Sequence, residues 1–343
     1  MSVKAIRWLS FLMVAALFGG AMWLLYHQLH KHSWEDFEAA ILAIGGRDIV
    51  MACVFTLLSY IVLAGYDFSA LYYLQRRLPS RGVFLASFTG FAFSQNLALS
   101  PLTGGAVRLR IYSAYGVPPL EIGKLVAFCI LTFSIGATAV GGTMMVIEPE
   151  LMQPLDHLPI EIARLIGIVT LLGIAGYIYW ASHRKTPIRF RGFEFKPLST
   201  KLAVWQILLA AIDLALVSAV LYVLLPTQGT GVTFLYVFGV YVVAITFGIL
   251  SHVPGSLGVF DSIVILLLED RIETPYIVGA ILLYRLIYLL IPLLAASLTL
   301  ALFEWRNKRE NPAILAAPGN GITPQQNFIN ENSPPAKITD QKR

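Results

Sequence analysis

Few charged side chains fall inside the long apolar stretches of this sequence, and each of them could carry chemistry there. They are Asp67, Arg108, Arg110, Asp213, Asp261 and Arg285. A charge at the centre of a membrane helix costs about 2.5 to 3.5 kcal/mol, so each needs a partner or a function. We predict that Asp67 pairs with Arg108 and that Arg110 reaches the membrane surface. Asp213 is predicted either to pair with a cation such as Arg285 or to face a wet cavity.

Two segments that contain glycine and proline, Ser100–Gly105 and Ser251–Gly258, interrupt apolar stretches near their middles. Each precedes a half-helix, whose first N–H groups lack partners and whose dipole favours an anion. Glycines let a ligand approach the backbone closely, although the same glycines would also serve close packing between helices. The predicted anion ligands are Asn96, Thr103, Gly104, Gly105, Arg108, Pro254, Gly255, Ser256 and Gly258.

The sequence does not favour nucleophilic or metal chemistry at the second segment. His252 and Ser256 are four residues apart, but Pro254 and Gly255 break the helix between them, so this spacing does not place them on one face. No HExxH pair occurs, and the histidines at positions 27, 30 and 32 are interpreted as interfacial. The two cysteines give no disulfide or metal-ligand pattern. We therefore predict no catalytic residue, no metal and no cofactor.

The elements that must position these residues are long and apolar. Of the 343 residues, 57% are hydrophobic and 13% are charged, and the mean hydropathy is +0.71, whereas soluble domains carry about 25% charged residues. A bilayer core of about 30 Å requires roughly 20 helical residues to cross it. The net charge of +5 is assigned to cytoplasmic loops and anionic lipid, not to nucleic acid. Eight apolar blocks run 8–26, 49–74, 82–116, 120–147, 160–180, 202–225, 232–268 and 276–303.

Loop charges predict how the chain winds through the membrane. The loops after the second and fifth blocks are basic and should be cytoplasmic, whereas the segments after the fourth and seventh blocks are acidic and should lie outside. With a cytoplasmic N-terminus, the number of crossings agrees with these loop positions only if the third and seventh blocks return to the side from which they entered. The second arm of the third block, residues 106–116, would be about 16 Å long and too short to cross.

The predicted fold is therefore an all-α polytopic membrane protein with about six full spans and two re-entrant or broken hairpins. The order of spans and hairpins predicts an inverted repeat, with repeat 1 at about 8–147 and repeat 2 at about 160–303. Residues 1–303 would form the membrane domain, and the polar residues 304–343 are predicted to be a disordered cytoplasmic tail. Both termini would then be cytoplasmic.

Two sets of residues carry a family resemblance. The first set is Asp67, Asn96, Pro101 and Gly104-Gly105 leading into Arg108, and the second is Ile249–Asp261, Tyr284, Arg285, Tyr288 and Pro292. Over about residues 5–305, the chain resembles the transmembrane half of lysyl-phosphatidylglycerol synthases, the multiple peptide resistance factor group, and its stand-alone membrane relatives. The resemblance implies a flippase for phospholipid or aminoacylated phospholipid, in which Asp67 and Arg108 match the family's intramembrane Asp and Arg.

Two departures from the family pattern narrow what the resemblance implies. Ser256 and Asp261 stand where the family commonly has Gly and Glu. The cytosolic aminoacyl-transferase domain of the full-length synthases has no counterpart in this sequence, so lysyl transfer by this chain alone is not expected.

The favoured interpretation is a phospholipid flippase of a bacterial inner membrane, which captures the anionic head group at the helix ends and then exposes it to alternate sides. One alternative is an intramembrane phosphatase acting on polyprenyl pyrophosphate, although acidic repeats such as ExxxE are missing near the tips. The other is a non-transporting membrane subunit that docks a separate lipid synthase through the basic loop Arg184–Lys201. The expected partners are the membrane, anionic phospholipid and, in the last case, the synthase; the oligomeric state is left open.

Overall fold

The computed structural model describes residues 34–96, 100–152, 159–183, 188–190, 193–195, 199–251 and 253–310. The first apolar block, His252, most of the basic loop after the fifth block and the tail beyond residue 310 lie outside the described residues. What the sequence predicts for those parts therefore stays a prediction.

Helices make up most of the described chain. In chain order they are α1 (Trp34–Leu42), α2 (Gly46–Tyr73), α3 (Ser80–Asn96), α4 (Ser100–Ala114), α5 (Pro119–Ile147), α6 (Ile160–His183), α7 (Thr200–Leu224), α8 (Phe234–Leu250), α9 (Val259–Leu268), α10 (Thr274–Tyr284) and α11 (Ile291–Glu310). The short elements are 3₁₀ turns at Pro149–Met152 and Pro254–Ser256, a π-helical turn at Arg285–Leu290, and the antiparallel strands β1 (Ile188–Phe190) and β2 (Phe193–Phe195).

Five helices in the described ranges are long and apolar enough to cross a membrane. They are α2, α5, α6, α7 and the continuous helix Thr274–Arg306, which joins α10, the π turn and most of α11. The helices α8 and α9 are apolar but shorter. The protein is thus an all-α membrane protein in which the β1–β2 hairpin is a minor addition. Because block 8–26 is not described, the predicted total of about six spans is not tested.

The third apolar block is interrupted, but not where the sequence predicts. Helix α3 ends at Asn96 and α4 begins at Ser100, so Gly104 and Gly105 lie inside α4 and not at its tip. Helix packing explains the difference: a Cβ on Gly104 would overlap the Ser94 hydroxyl and lie 2.6 Å from the Gly90 carbonyl oxygen of α3. With 15 residues, α4 is about 22 Å long, longer than predicted but still shorter than the bilayer core.

The seventh block is interrupted within the predicted segment. Gly255, Ser256 and Gly258 have φ angles of +60°, +53° and +78°, which end one helix and start the next, and α8 and α9 pack against each other. Ser256 turns back onto Gly248 of α8, where a Cβ would lie 2.6 Å from the Ser256 hydroxyl. A small residue at position 248 is therefore needed for this turn.

Helix α7 lies among the other long helices. It packs against α2, α5, α6, α8 and α10, and residues along most of its length are buried. A Cβ on Gly65 of α2 would lie 2.8 Å from Leu209, and Gly136 of α5 packs directly on the Ala210 Cβ. Such small residues are typical of close helix contacts in membranes. These contacts bring Asp213 of α7 into the interior of the bundle, where it is 4% exposed.

The chain divides into a compact unit that ends at Thr299 and a second unit that starts at Leu300. In the second unit, α11 continues to Glu310, past the predicted start of the tail at residue 304. Neither Gly nor Pro interrupts this stretch before Pro312, so the backbone has no reason to leave the helix at Phe303. The rest of the predicted tail lies outside the described residues.

Candidate functional site

The first feature of the interior is a buried ion pair between α2 and α4. The Arg108 guanidinium donates from Nη2 to Asp67 Oδ1 at 2.9 Å and from Nε to Oδ2 at 3.0 Å. The two side chains are 4% and 0% exposed. The predicted Asp67–Arg108 pair is therefore present, and its geometry leaves neither charge uncompensated.

Three further side chains complete this ion pair. The Tyr112 hydroxyl of α4 donates to Asp67 Oδ2 at 2.6 Å, and the Cys129 thiol of α5 lies 3.6 Å from Oδ1. The Arg108 guanidinium stacks over the Phe91 ring of α3, 4.3 Å from its centroid. The pair thus ties α2, α3, α4 and α5 together, which is the structural role that its burial and full set of partners favour.

A second ion pair lies at the second interruption. Arg285 donates from Nη2 to Asp261 Oδ1 at 2.6 Å and from Nη1 to the Gly255 carbonyl at 3.2 Å. The other Asp261 oxygen accepts the Gly258 N–H at 2.9 Å. Of the two alternatives predicted for Asp213, the pair with Arg285 is therefore not the one found, because Asp261 caps its own helix at the N-terminus and meets Arg285 there. The same carboxylate already occupies the α9 helix end at which the sequence predicts an external anion.

Asp213 has hydroxyl partners. Ser59 Oγ donates to its Oδ1 at 3.0 Å, and the Tyr66 hydroxyl donates to its Oδ2 at 3.3 Å. The structure describes three buried acidic side chains, Asp67, Asp213 and Asp261, and among these Asp213 alone takes no part in an ion pair described here. Asp213 thus accepts hydrogen bonds from hydroxyl groups, whereas Asp67 is paired with a guanidinium.

A chain of hydrogen bonds connects Asp213 to the end of α3. Gln95 Nε2 donates to the Tyr288 hydroxyl at 3.2 Å, and that hydroxyl lies 3.1 Å from Ser59 Oγ. Because Ser59 donates its proton to Asp213, Tyr288 must donate to Ser59. Every donor in this chain therefore points toward the Asp213 carboxylate.

The sequence reasoning missed most of this chain. It selected Asp213 and Tyr288 but not Gln95, Ser59 or Tyr66. Ser59 and Tyr66 are seven residues apart and thus lie on one face of α2. Polar residues at this spacing in an apolar helix were the signal that could have found them.

The π turn contacts both interruptions. Asn96, the last residue of α3, donates from Nδ2 to the Leu289 carbonyl at 3.1 Å. Arg285, the first residue of the turn, donates to the Gly255 carbonyl. A Cβ built on Gly255 would lie 3.9 Å from the Asn96 carbonyl oxygen. The two interrupted helices therefore meet, with the π turn beside them.

The other predicted site residues are placed as follows. Gly104 is buried and Thr103 and Gly105 are half-buried within α4, while Gly258 is the buried N-cap of α9. Arg110 is exposed, and its predicted reach to the membrane surface stays a prediction. Pro254 belongs to the 3₁₀ turn, and His252 lies outside the described residues. Within the described ranges, no three metal-binding side chains gather at one place.

Residues 8–296 match the family described as the lysylphosphatidylglycerol synthase TM region. The match covers most of the chain and includes both ion pairs, the Asp213 chain and the π turn. The chain belongs to this family. The family resemblance of the sequence is thereby confirmed, whereas the family match does not test the flippase activity.

Three curated relatives illustrate the range of the family. The chain is 34% identical over 290 residues to an uncharacterized protein of Synechocystis sp., covering 84% of this chain and 90% of that protein. It is 30% identical over 313 residues to the inner membrane protein YbhN of Escherichia coli, covering 89% and 93% of the two chains. It is 24% identical over 293 residues to the phosphatidylglycerol lysyltransferase of Bacillus subtilis, covering 83% of this chain and 33% of that enzyme.

Proposed function

We propose that this protein is a flippase-like transporter that moves phospholipid between the leaflets of a bacterial inner membrane. The observation that carries the proposal is the meeting of two interrupted helices at one π turn, through Asn96 on one side and Gly255 on the other. Interrupted helices that meet inside a membrane form the substrate sites of many transporters. Family membership and the inner-membrane relative in Escherichia coli support the same proposal.

The proposed architecture is an inverted repeat whose halves, about 8–147 and 160–303, each contribute one interrupted helix pair. The pairs α3–α4 and α8–α9 have corresponding positions in the two halves, each following a long helix that carries a buried aspartate, Asp67 or Asp213. Movement of one half against the other would expose the meeting point to alternate sides of the membrane. The N- and C-termini are proposed to be cytoplasmic, as the loop charges favour.

Arg285 is the cation proposed to receive the lipid phosphate. Its side chain is 13% exposed, whereas that of Arg108 is 4% exposed and held by Asp67. Asp261 keeps its bond to the Gly258 N–H when Arg285 turns away, so the carboxylate retains a partner. The phosphate would thus exchange with Asp261 for the same guanidinium, in a bidentate arrangement that arginine favours.

The remaining predicted ligands divide into two groups in this proposal. Asn96, Pro254, Gly255, Ser256 and Gly258 are assigned to the head-group site at the meeting point. Gly104 acts through the packing of α4 on α3 and Arg108 through the ion pair with Asp67, whereas Thr103 and Gly105 are left outside the head-group site. Phosphatidylglycerol and its aminoacylated derivatives are the proposed lipids, since the relative from Bacillus subtilis is named a phosphatidylglycerol lysyltransferase.

Lipid movement in vesicles tests the proposal. The purified protein is reconstituted with a trace of fluorescent phosphatidylglycerol in both leaflets, and dithionite is added outside. A flippase brings the inner-leaflet probe to the surface, so nearly all fluorescence is lost, whereas empty vesicles keep the protected fraction. Arg285→Gln should keep that fraction as well. Arg164→Gln, which removes an exposed charge of α6, is the matched control and should behave as the unmodified protein.

Two outcomes would contradict the proposal. Release of phosphate from polyprenyl pyrophosphate without lipid movement would identify the phosphatase of the first alternative. No lipid movement, together with co-purification of a lipid synthase that depends on the loop Arg184–Lys201, would identify the docking subunit.

A further inference from the structure

A cavity of about 830 Å³ opens between the end of α2, the start of α3 and the start of α7. Its volume is within the range of small-molecule sites, about 300 to 1,000 Å³. Its described lining residues include neither Asp213 nor any residue of the two interruptions.

The cavity has a cationic rim. Arg76, Arg77 and Lys201 line it, and none of the lining residues that the structure describes is acidic. Arg76 is held by Glu121 of α5, with its Nε and Nη2 at 2.7 and 2.8 Å from the carboxylate oxygens. That pair is neutral, so the positive potential of the rim comes from Arg77 and Lys201, which are both exposed. A cavity of this charge favours an anion.

The walls of the same cavity are apolar and aromatic. Leu71, Val83 and Leu202 form buried parts of the wall, while Tyr72 and Trp205 remain 76% and 47% exposed. Exposed Trp and Tyr next to cations are typical of the membrane–water interface. A free inorganic anion would gain nothing from these walls, whereas a molecule with a charged head and acyl chains would contact both parts.

The start of α7 adds backbone donors to the rim. Ser199 caps the helix, with its hydroxyl accepting the Leu202 N–H at 3.3 Å. The other N–H groups of the first turn face the N-terminal end, where the dipole of a 25-residue helix favours negative charge. The cations, the helix end and the aromatic walls therefore converge on one amphiphilic ligand.

We infer that this cavity binds the phosphate of an anionic glycerophospholipid drawn from the adjacent leaflet, with Arg77 and Lys201 contacting the phosphate and the acyl chains passing Trp205. The role of the cavity as a loading site rests on the proposed function, but its occupancy does not. Basic pockets between membrane helices are known to bind acidic head groups, and a cation near the surface contributes about 1 kcal/mol.

Binding to the full chain in mild detergent, followed by native mass spectrometry, tests the inference. Phosphatidylglycerol, phosphatidylethanolamine and inorganic phosphate are added in parallel. Phosphatidylglycerol should be retained, and the double variant Arg77→Gln/Lys201→Gln should bind it roughly 30-fold more weakly. The matched control is Arg47→Gln/Arg164→Gln, which removes two exposed charges elsewhere and should leave binding unchanged.

Several results would overturn the inference. Equal binding of phosphatidylglycerol by both double variants would place the lipid elsewhere. Full displacement of the lipid by inorganic phosphate would make the cavity a free-anion site, and equal retention of phosphatidylethanolamine would remove the selectivity for negative charge. Because the measurement needs no transport, lipid binding without lipid movement would contradict the flippase proposal and leave the cavity assignment intact.

Discussion

Asn96 donates a hydrogen bond from its side-chain amide to the main-chain carbonyl of Leu289 at 3.1 Å. Asn96 is the last residue of the interrupted helix α3, and Leu289 lies in the π turn. The same amide also donates to the Ala92 carbonyl at 2.8 Å, so one side chain joins its own helix to another. A carbonyl released from its helix by the π turn thus finds a partner in α3.

The first prediction is that Asn96→Ala destabilises the protein by about 0.5 to 1.5 kcal/mol, because the partly buried Leu289 carbonyl loses its hydrogen bond from α3. Thermal unfolding monitored by intrinsic fluorescence measures the change. Thr138→Ala is the matched control, since its hydroxyl bonds only within α5, to the Ser134 carbonyl, at an exposed position. Equal effects of the two substitutions would mean that Asn96 adds nothing beyond its own helix.

The second prediction concerns the Asp67–Arg108 pair. Asp67→Asn or Arg108→Gln alone should cost about 3 to 5 kcal/mol, because each leaves one buried charge without its counterion. The double variant should lose less than either single variant, since no charge remains. Yield and thermal stability by fluorescence-detected size exclusion compare the three. Silent single variants would contradict the buried pair.

The third prediction separates Asp213 from Asp67. Asp213→Asn should cost less than about 1 kcal/mol, because Ser59 and Tyr66 are hydroxyls and can bond to an amide as well as to a carboxylate. Asp67→Asn provides the comparison in the same unfolding experiment. If the two substitutions destabilise equally, Asp213 has a cationic partner and its surroundings are not as described.

The fourth prediction compares two neighbouring glycines. Gly104→Ala should separate α3 from α4 and cost about 1 to 3 kcal/mol through overpacking, since its Cβ would overlap Ser94. Gly105→Ala should be tolerated, because its nearest neighbour would be Val126 at 3.6 Å. Melting temperatures of the two variants test the difference. A larger loss of stability in Gly105→Ala than in Gly104→Ala would contradict this packing and would favour the predicted hairpin tip at Gly105.

The fifth prediction follows from the loop charges. In a chain without its two native cysteines, a cysteine at Gln153 should react with an impermeant maleimide from outside the cell. A cysteine at Gln75, in the basic loop after α2, should react only from the cytoplasmic side in inverted vesicles. Labelling of Gln153 from the cytoplasmic side would exclude the inverted repeat.

The Asp67–Arg108 pair and the second interruption could be predicted from sequence for local reasons. Charges are rare in the apolar blocks, which leaves Asp67 few partners, and the Pro254-Gly255 pair stops a helix wherever it occurs. The partner of Arg285 is harder to predict from sequence. Asp213 and Asp261 both lie in apolar sequence, and the position of Asp261 at the N-terminus of α9, beside Arg285, decides between them.

The first interruption and the Asp213 chain depend on packing between helices distant in sequence. Gly104 could equally mark a tip or a close contact, and only the approach of α3 selects the contact. Ser59, Gln95 and Tyr288 come from three separate elements, so nothing in their local sequence indicates that they meet. Long-range contact is the physical reason that sequence reasoning missed them.

In the π turn, the number of residues matters as well as their types. Such a turn holds one residue more than an α-helical turn, and each residue of a helix advances it by about 100° and 1.5 Å. Deleting one residue between Tyr284 and Ile291 would restore an unbroken α-helix and rotate either Arg285 away from Gly255 or Leu289 away from Asn96. Substitutions of similar size at the leucines and the isoleucine of the turn should therefore survive in natural variants, whereas a single-codon deletion there should not.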